Sequence, residues 1–253
     1  MRDFHPEDMK LRNRIFDAWR AAAVASGFEP YDACVVESLE LLQRKAGEEI
    51  VNQIYAFEDK SGRKLALRPE MTPTLARMVV ARQGALPFPI KWFTIAQCFR
   101  YERMTRGRKR EHYQWNLDIV GEAGVGAEAE ILAAAAQALR TMGLPDEAYR
   151  IHVNNRALLS ELLLKLDIEA RHHPAVFLAL DKRGKLPDDE IAALLAAEQV
   201  PSGGIARAFE LLAVQGLDQA AELAGAGSTA GARLRELFEL AESYGIADRL
   251  VFD

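Results

Sequence analysis

A chain of 253 residues, about half of them hydrophobic (49%), holds enough apolar material for one large or two modest cores, and this excludes a disordered protein. Its formal charge of −5 excludes a chain that is basic throughout, so any affinity for phosphate must come from a local patch. Two cysteines, Cys34 and Cys98, with no CxxC and no Cys/His ligand spacing, exclude a disulfide framework or a structural zinc site, and a reducing cytoplasm is the expected setting. The opening MRDFHPEDMKLRNRIF lacks an apolar signal core, and no later run approaches the roughly 18 apolar residues of a membrane span, so no membrane partner is expected.

Taken in chain order, Leu11, Ile15, Phe16, Trp19, Ala22 and Ala23 recur at helical spacing, which predicts a helix from Pro6 to about Ser26 with Gly27 beyond its end. ACVVESLELL predicts a short strand leaving toward a helix, and IVNQIYAFEDKSGRKLALRPE predicts two strands joined at the Asp59 to Gly62 turn. In TPTLARMVVARQG, Thr72 is the expected N-cap, Pro73 the first helical residue and Gly84 the stop. KWFTIAQCFRYE and EHYQWNLDIVG predict an antiparallel pair of strands across a charged connection. A helix over about Ala127 to Met142 follows, then a strand in YRIHVNN and a helix in RALLSELLLKL. After about Asp167 the texture becomes alanine- and leucine-rich helix broken by LPDDE, VPSGG and GAGSTAG, with scarcely a strand before DRLVFD. The expected organisation is an α+β core over residues 1–166 and a small helical domain over 167–253.

The most informative stretch is CFRYERMTRGRKREHYQWNLDIVG, Cys98 to Gly121. Strand alternation places Arg100 and Glu102 on one face, and His112, Gln114, Asn116 and Asp118 on one face of the returning strand, with Tyr113, Trp115, Leu117 and Ile119 opposite. A row of polar side chains on a sheet face costs several kcal/mol unless each group is partnered, so a polar floor points to a ligand site. Arg103, Arg106, Arg108, Lys109 and Arg110 in the connection have the guanidinium density that a polyphosphate or nucleic-acid backbone takes. A solvated surface hairpin is the competing reading of that loop, and a buried salt bridge competes with a ligand contact for Arg68. No GxxxxGKS/T or GxGxxG is present, so a nucleotide here would rest on a sheet rather than on a helix N-terminus. His152, His172 and His173 match no chemistry and are expected at the surface; Cys98 is expected to be a small buried residue.

FRYE followed by TRGRKREHYQWNLDIVG resembles motif 2 of the class II aminoacyl-tRNA synthetases in its histidyl-tRNA synthetase form, and LALRPEMTPTLARMV resembles that family's first histidine signature. RDFHPEDMKLRNRIF and RKAGEEIVNQIYAFED extend the resemblance over essentially the whole chain. The resemblance implies an antiparallel-sheet catalytic core followed by a helical insertion domain, and ATP (with Mg2+), histidine and its tRNA as substrates of a homodimer. It implies that Arg100 holds the α-phosphate and the substrate carboxylate, that Glu102 contacts the adenine side, that Arg108 grips the outer phosphates, and that His112 lies against the adenine face. Glu70, Thr72 and Gln114 would take the histidine ammonium and Asp118 the imidazole, by a hydrogen bond that an apolar isostere cannot offer.

Three departures qualify these expectations. Cys34 stands where motif 1 usually has proline, and His112 where an aromatic ring is frequent. The chain ends at GIADRLVFD, before the positions where the family continues into a second histidine signature, the motif 3 arginine and an anticodon-binding domain; the helical part then matches the insertion that contacts the tRNA acceptor arm, and weak or absent activity of the chain alone is expected. The open alternatives are a histidine-sensing regulatory subunit of ATP phosphoribosyltransferase and a non-catalytic paralogue. The intact arginine loop favours the ligase, since a sensor of histidine alone has little use for it.

Overall fold

The structure is a computed structural model; it describes residues 3–44, 53–180, 182, 186–212, 214 and 216–253, and the chain forms two compact units, Met1–Leu144 and Pro145–Asp253. The first unit begins with α1 (Pro6–Ala25), which has Pro6 in its first turn, Glu7 and Asp8 facing the positive end of the helix dipole, and Gly27 at φ +77° just past its end. β1 (Glu29–Pro30) runs parallel to β5 (Ile90–Phe99), and β5 pairs antiparallel with β6 (Glu111–Val120) from Ile90↔Val120 to Phe99↔Glu111. A second sheet has the order β2 (Val36–Ser38), β4 (Lys64–Leu67), β3 (Ala56–Glu58), all antiparallel. The β3–β4 turn is held by the Asp59 carboxylate, which accepts the backbone N–H groups of Ser61 and Arg63. α2 (Leu39–Gln43), α3 (Thr72–Arg82) and α4 (Gly126–Thr141) complete the described part of the unit; residues 45–52, which include the first three positions of the expected strand IVNQIYAFED, lie outside the described residues.

Directly opposite residues share a face, so the long ladder has two distinct sides. On one, Phe93, Trp115, Leu117 and Ile119 pack with Ala23, Phe28 and Ile131, and Trp19 of α1 stacks on Trp115 with ring centroids 5.7 Å apart. On the other, Ala96 and Cys98 pack on Met71, and Ile90, Trp92 and Val120 pack with Leu75 and Val79 of α3. The row His112, Gln114, Asn116, Asp118 belongs to this second side, opposite Cys98, Ala96, Thr94 and Trp92. β6 closes at Gly121 (φ +95°), where an added Cβ would lie 2.6 Å from the Phe88 ring.

The second unit pairs β7 (Ile151–Val153) in parallel with β8 (Leu250–Phe252) and otherwise consists of α5 (Arg156–Lys165), α6 (His173–Leu180), α7 (Asp188–Ala197), α8 (Ser202–Leu212), α9 (Leu217–Ala224) and α10 (Thr229–Ser243), with short 3₁₀ turns. The Asn155 side chain caps α5 by accepting the N–H groups of Ala157 and Leu158. Glu161 of α5 accepts from Ser228 and from the Ala230 N–H, which ties α5 to the start of α10. The unit therefore begins earlier than the expected boundary after 166: composition changes there, but β7 is paired to β8 and α5 packs on α9 and α10. Two expected surface histidines are also corrected. His172 and His173 are 7% and 6% exposed, with His173 Nε2 3.0 Å from the Ile168 carbonyl, because both lie on the inner side of the turn into α6; His152 is exposed as expected.

Candidate functional site

β5 stops at Phe99, so Arg100 and Glu102 stand past the strand end rather than alternating along it. The Arg100 backbone N–H still donates to the Arg110 carbonyl (2.9 Å), and this carries the hairpin one step further. Its side chain turns onto the segment after β4: Nε donates to the Pro69 carbonyl at 3.0 Å, and the guanidinium is 4.0 Å from the Glu70 carboxylate. The arginine is thus aimed by one backbone acceptor and one carboxylate while remaining a quarter exposed. Glu102 is nearly buried, 3.3 Å from the Nε of exposed Arg108, and its carbonyl accepts from Arg110 Nε. Arg110 also lies over the Tyr101 ring, 4.1 Å from its centroid, and Tyr101 meets Tyr55 edge-on. Arg108 is itself largely exposed, so its side chain has room to exchange that partner for a phosphate.

Next on β6 is His112, whose imidazole is held below its usual pKa by burial and then by the positive charge of Arg100, with Glu102 opposing. A neutral ring at that place offers a flat face for stacking. Gln114 accepts a hydrogen bond from the Cys98 thiol (3.4 Å), and burial pushes that thiol up to about 11, so it remains a donor. The amide nitrogen of Gln114 makes no bond among the described residues. Asp118 lies four residues further along, roughly 13 Å of strand from Gln114. Its Oδ2 accepts from the Tyr31 hydroxyl at 3.4 Å, and burial raises its pKa although that hydrogen bond opposes the shift. Tyr31 itself is fixed by its backbone N–H, which donates to the Phe93 carbonyl, and by the Trp92 ring beside it.

The structure therefore gathers Arg100, Glu102, Arg108, Glu70 and His112 around the root of the hairpin and sets Gln114 and Asp118 along the same sheet face. Thr72 is not the N-cap of α3: Met71 holds that place, and Thr72 is an exposed first-turn residue with no side-chain bond among the described residues. Arg68 is 3% exposed and fully occupied structurally, donating to the Gln97 and Ala33 carbonyls and to Asp32. Two participants have no local sequence signal, the Pro69 carbonyl behind Arg100 and Tyr31 behind Asp118; Glu37, a buried carboxylate that takes Ser38 N–H, Thr74 and Arg77, belongs to the scaffold. Asn116 stands on the row by alternation, and its Oδ1 is buried with no partner among the described residues.

The family model described as histidyl-tRNA synthetase matches residues 1–253. The chain is 42% identical over 252 residues to the chloroplastic/mitochondrial histidine–tRNA ligase of Arabidopsis thaliana, covering 100% of this chain and 52% of the relative. It is 39% identical over 254 residues to the histidine–tRNA ligase of Leptospira biflexa, covering 100% and 58%. The chain thus spans little more than half the length of these relatives. Among solved structures, the histidyl-tRNA synthetase of Nostoc sp. PCC 7120 superposes with a TM-score of 0.82 at 20% identity, over 100% of this chain and 59% of that one. A Bacillus halodurans protein described as an ATP phosphoribosyltransferase regulatory subunit/histidyl-tRNA synthetase does so with 0.83 at 23% identity, over 100% and 66%. Both show the α+β, class II synthetase-like fold that the motifs imply. No described helix is long and apolar enough to cross a membrane. With the family model matched from end to end, and with relatives of 42% and 39% identity along the whole of this chain, the chain belongs to the histidyl-tRNA synthetase family.

Proposed function

We propose that this chain carries the ATP- and histidine-binding side of a histidine–tRNA ligase. In the reaction the histidine carboxylate attacks the α-phosphorus of ATP, pyrophosphate leaves, and the aminoacyl group then passes from the adenylate to a terminal ribose hydroxyl of tRNA. The observation that carries the reading is Arg100, oriented by the Pro69 carbonyl and Glu70 at the head of a polar sheet face, with the hairpin arginines beyond it. A guanidinium so placed neutralises charge that grows on the α-phosphate oxygens as the carboxylate attacks. His112 offers its ring to the adenine, Glu102 the adenine side, and Arg108 the outer phosphates. Glu70, Thr72 and Gln114 receive the ammonium, and Asp118 accepts an imidazole N–H. Magnesium enters with the triphosphate, as part of the substrate. A cytoplasmic homodimer completes the proposal.

The hairpin arginines favour this over a sensor of histidine, and the likeness to the Bacillus halodurans structure, at 23% identity, speaks to fold alone. The test is histidine-dependent exchange of pyrophosphate into ATP. In any form of the protein that shows the exchange, Arg100→Ala is expected to abolish it, and a variant that retains near-normal exchange removes Arg100 from the mechanism and this reading with it.

A further inference from the structure

The long hairpin has one closed edge and one open one. The Arg100 N–H bonds the Arg110 carbonyl, and the register runs without a bulge from Ile90↔Val120 to Phe99↔Glu111. Alternation then turns the N–H and C=O groups of the even-numbered residues of β5 and β6 toward each other and those of the odd-numbered residues outward. On β5 the outward groups are used: Phe93 is paired with β1 and its carbonyl accepts from the Tyr31 N–H, and the Phe99 N–H donates to the Arg68 carbonyl. On β6 the outward groups of Glu111, Tyr113, Trp115, Leu117 and Ile119 have no backbone partner among the described residues, and β6 is the last strand of its sheet.

Burial follows the same division. β5 buries Ile90, Phe93, Thr94, Ala96 and Cys98, whereas each residue of β6 is only half-buried, the apolar Trp115, Leu117 and Ile119 included. A free strand edge is a template for pairing, and proteins protect such edges with short strands, bulges, proline or lysine. β6 is ten residues long, unbulged, and contains neither proline nor lysine. Its edge therefore has the character of one that another strand covers. The covering strand has to continue both sides of the sheet, with apolar side chains beside Trp115 and Leu117 and polar ones beside Gln114 and Asn116.

The family supplies an occupant. The Arabidopsis thaliana and Leptospira biflexa relatives are matched over 52% and 58% of their own length, so each holds polypeptide outside the matched part. We propose that the outer edge of β6 is an interaction surface for that remaining part of the ligase, which adds a strand there and docks even when supplied as a separate polypeptide. The proposal stands on the open edge and on membership of the family; the substrates assigned to the polar face do not enter it.

The test produces the whole chain in one cell together with the part of the Leptospira biflexa relative that lies outside the match, so that neither part need fold alone. The purified material is read by mass and by amide hydrogen exchange. A one-to-one complex is expected, in which the Tyr113, Trp115 and Leu117 amides exchange at least roughly tenfold more slowly than in the chain alone, while those of Gln114, Asn116 and Asp118 are slow in both. Leu117→Pro removes an outward N–H and leaves the inward bonds of β6 in place, so it should weaken the association at least about tenfold, and slow exchange at Gln114 in the variant alone shows that it has folded. Should that variant not fold, Leu117→Lys, which keeps the ladder and sets a charge on the edge, takes its place with the same expected loss. Failure of the folded chain to form the complex, or a complex in which the odd-numbered amides still exchange fast, would overturn the proposal and leave the role of Arg100 untouched. Slow exchange of those amides in the chain alone, at the mass of two copies, would overturn it as well, by giving the edge to a second copy of this chain.

Discussion

The two units differ in charge as sharply as in architecture. Residues 1–144 carry 21 Lys and Arg against 19 Asp and Glu, and residues 145–253 carry 11 against 18, so formal charges of +2 and −7 sit on one chain. The first unit concentrates its excess between Arg100 and Arg110, at the end of a ladder with a polar face; the second spreads its acids over alanine- and leucine-rich helices. Phosphate binding needs clustered positive charge, and the first unit supplies it between Arg100 and Arg110. On the proposed reading, nucleotide recognition is a property of one hairpin and its neighbours, while the second unit would have to meet any RNA by shape and a few local contacts.

The sharpest way to break this contrast is at Arg100. If it stabilises the transition state, Arg100→Ala should lower histidine-dependent pyrophosphate exchange by about a thousandfold or more, since one preorganised charge contact is worth ~3–4 kcal/mol or more in such a site. Arg68, also in the first unit, should behave in the opposite manner. Arg68→Ala leaves the Gln97 and Ala33 carbonyls without their donor in a buried place, so unit 1 should lose about 2–4 kcal/mol, read as a lower denaturant midpoint. Loss of exchange without loss of stability in Arg68→Ala would make it a ligand residue instead.

A smaller effect separates the units directly. Neutralising Arg103, Arg106 and Lys109 should weaken tRNA binding by roughly ten- to a hundredfold at low salt and flatten its salt dependence by about 0.7 per lost phosphate contact. Neutralising Arg171, Arg233 and Arg235 in the second unit should change both far less. The reverse ranking, measured by filter binding across a salt series, would move the phosphate-binding surface to the helical unit.

Much of this was legible because it follows from short-range rules. Period-two alternation places His112, Gln114, Asn116 and Asp118 together whatever the rest of the chain does, and the Asp59 to Gly62 turn and the α1 stripe are equally local. The misses have a common cause in contacts between residues distant in sequence. Tyr31 meets Asp118 across 87 positions, and Arg68 meets Asp32 and Ala33 across 36 and 35. The unit boundary falls at Pro145 because β7 pairs with a strand almost a hundred residues away, which no change of composition marks. His172 and His173 are buried by tertiary packing that a polar residue type does not announce. Thr72 missed the cap by one position, the usual resolution of helix ends.

Within the first unit the contrast between site and scaffold narrows to two carboxylates, and their response to pH has opposite sign. Burial alone would raise Glu37, but the Ser38 N–H, Arg77 and Thr74 outweigh it and hold the carboxyl below its usual value. Its stabilising contribution is present above the unfolded pKa and is lost as pH falls through the lowered folded one. Asp118 is raised by burial, and its one hydrogen bond from Tyr31 does not offset this. The folded state then binds the proton more tightly than the unfolded state, so stability falls as pH rises from the ordinary value of 3.8 through the raised one, and the cost persists at neutral pH. Glu37→Gln is therefore expected to destabilise the chain at neutral pH, and Asp118→Asn, which keeps an oxygen for Tyr31, to stabilise it modestly. Both differences from the native chain should shrink toward zero in acid, the Asp118 difference below pH 3.8 and the Glu37 difference as pH falls through its lowered folded pKa. Urea midpoints of the three proteins at several pH values decide the matter. A stabilised Asp118→Asn that has also lost histidine affinity identifies a carboxylate kept for its ligand at the expense of the fold, whereas an Asp118→Asn destabilised like Glu37→Gln would make Asp118 part of the scaffold.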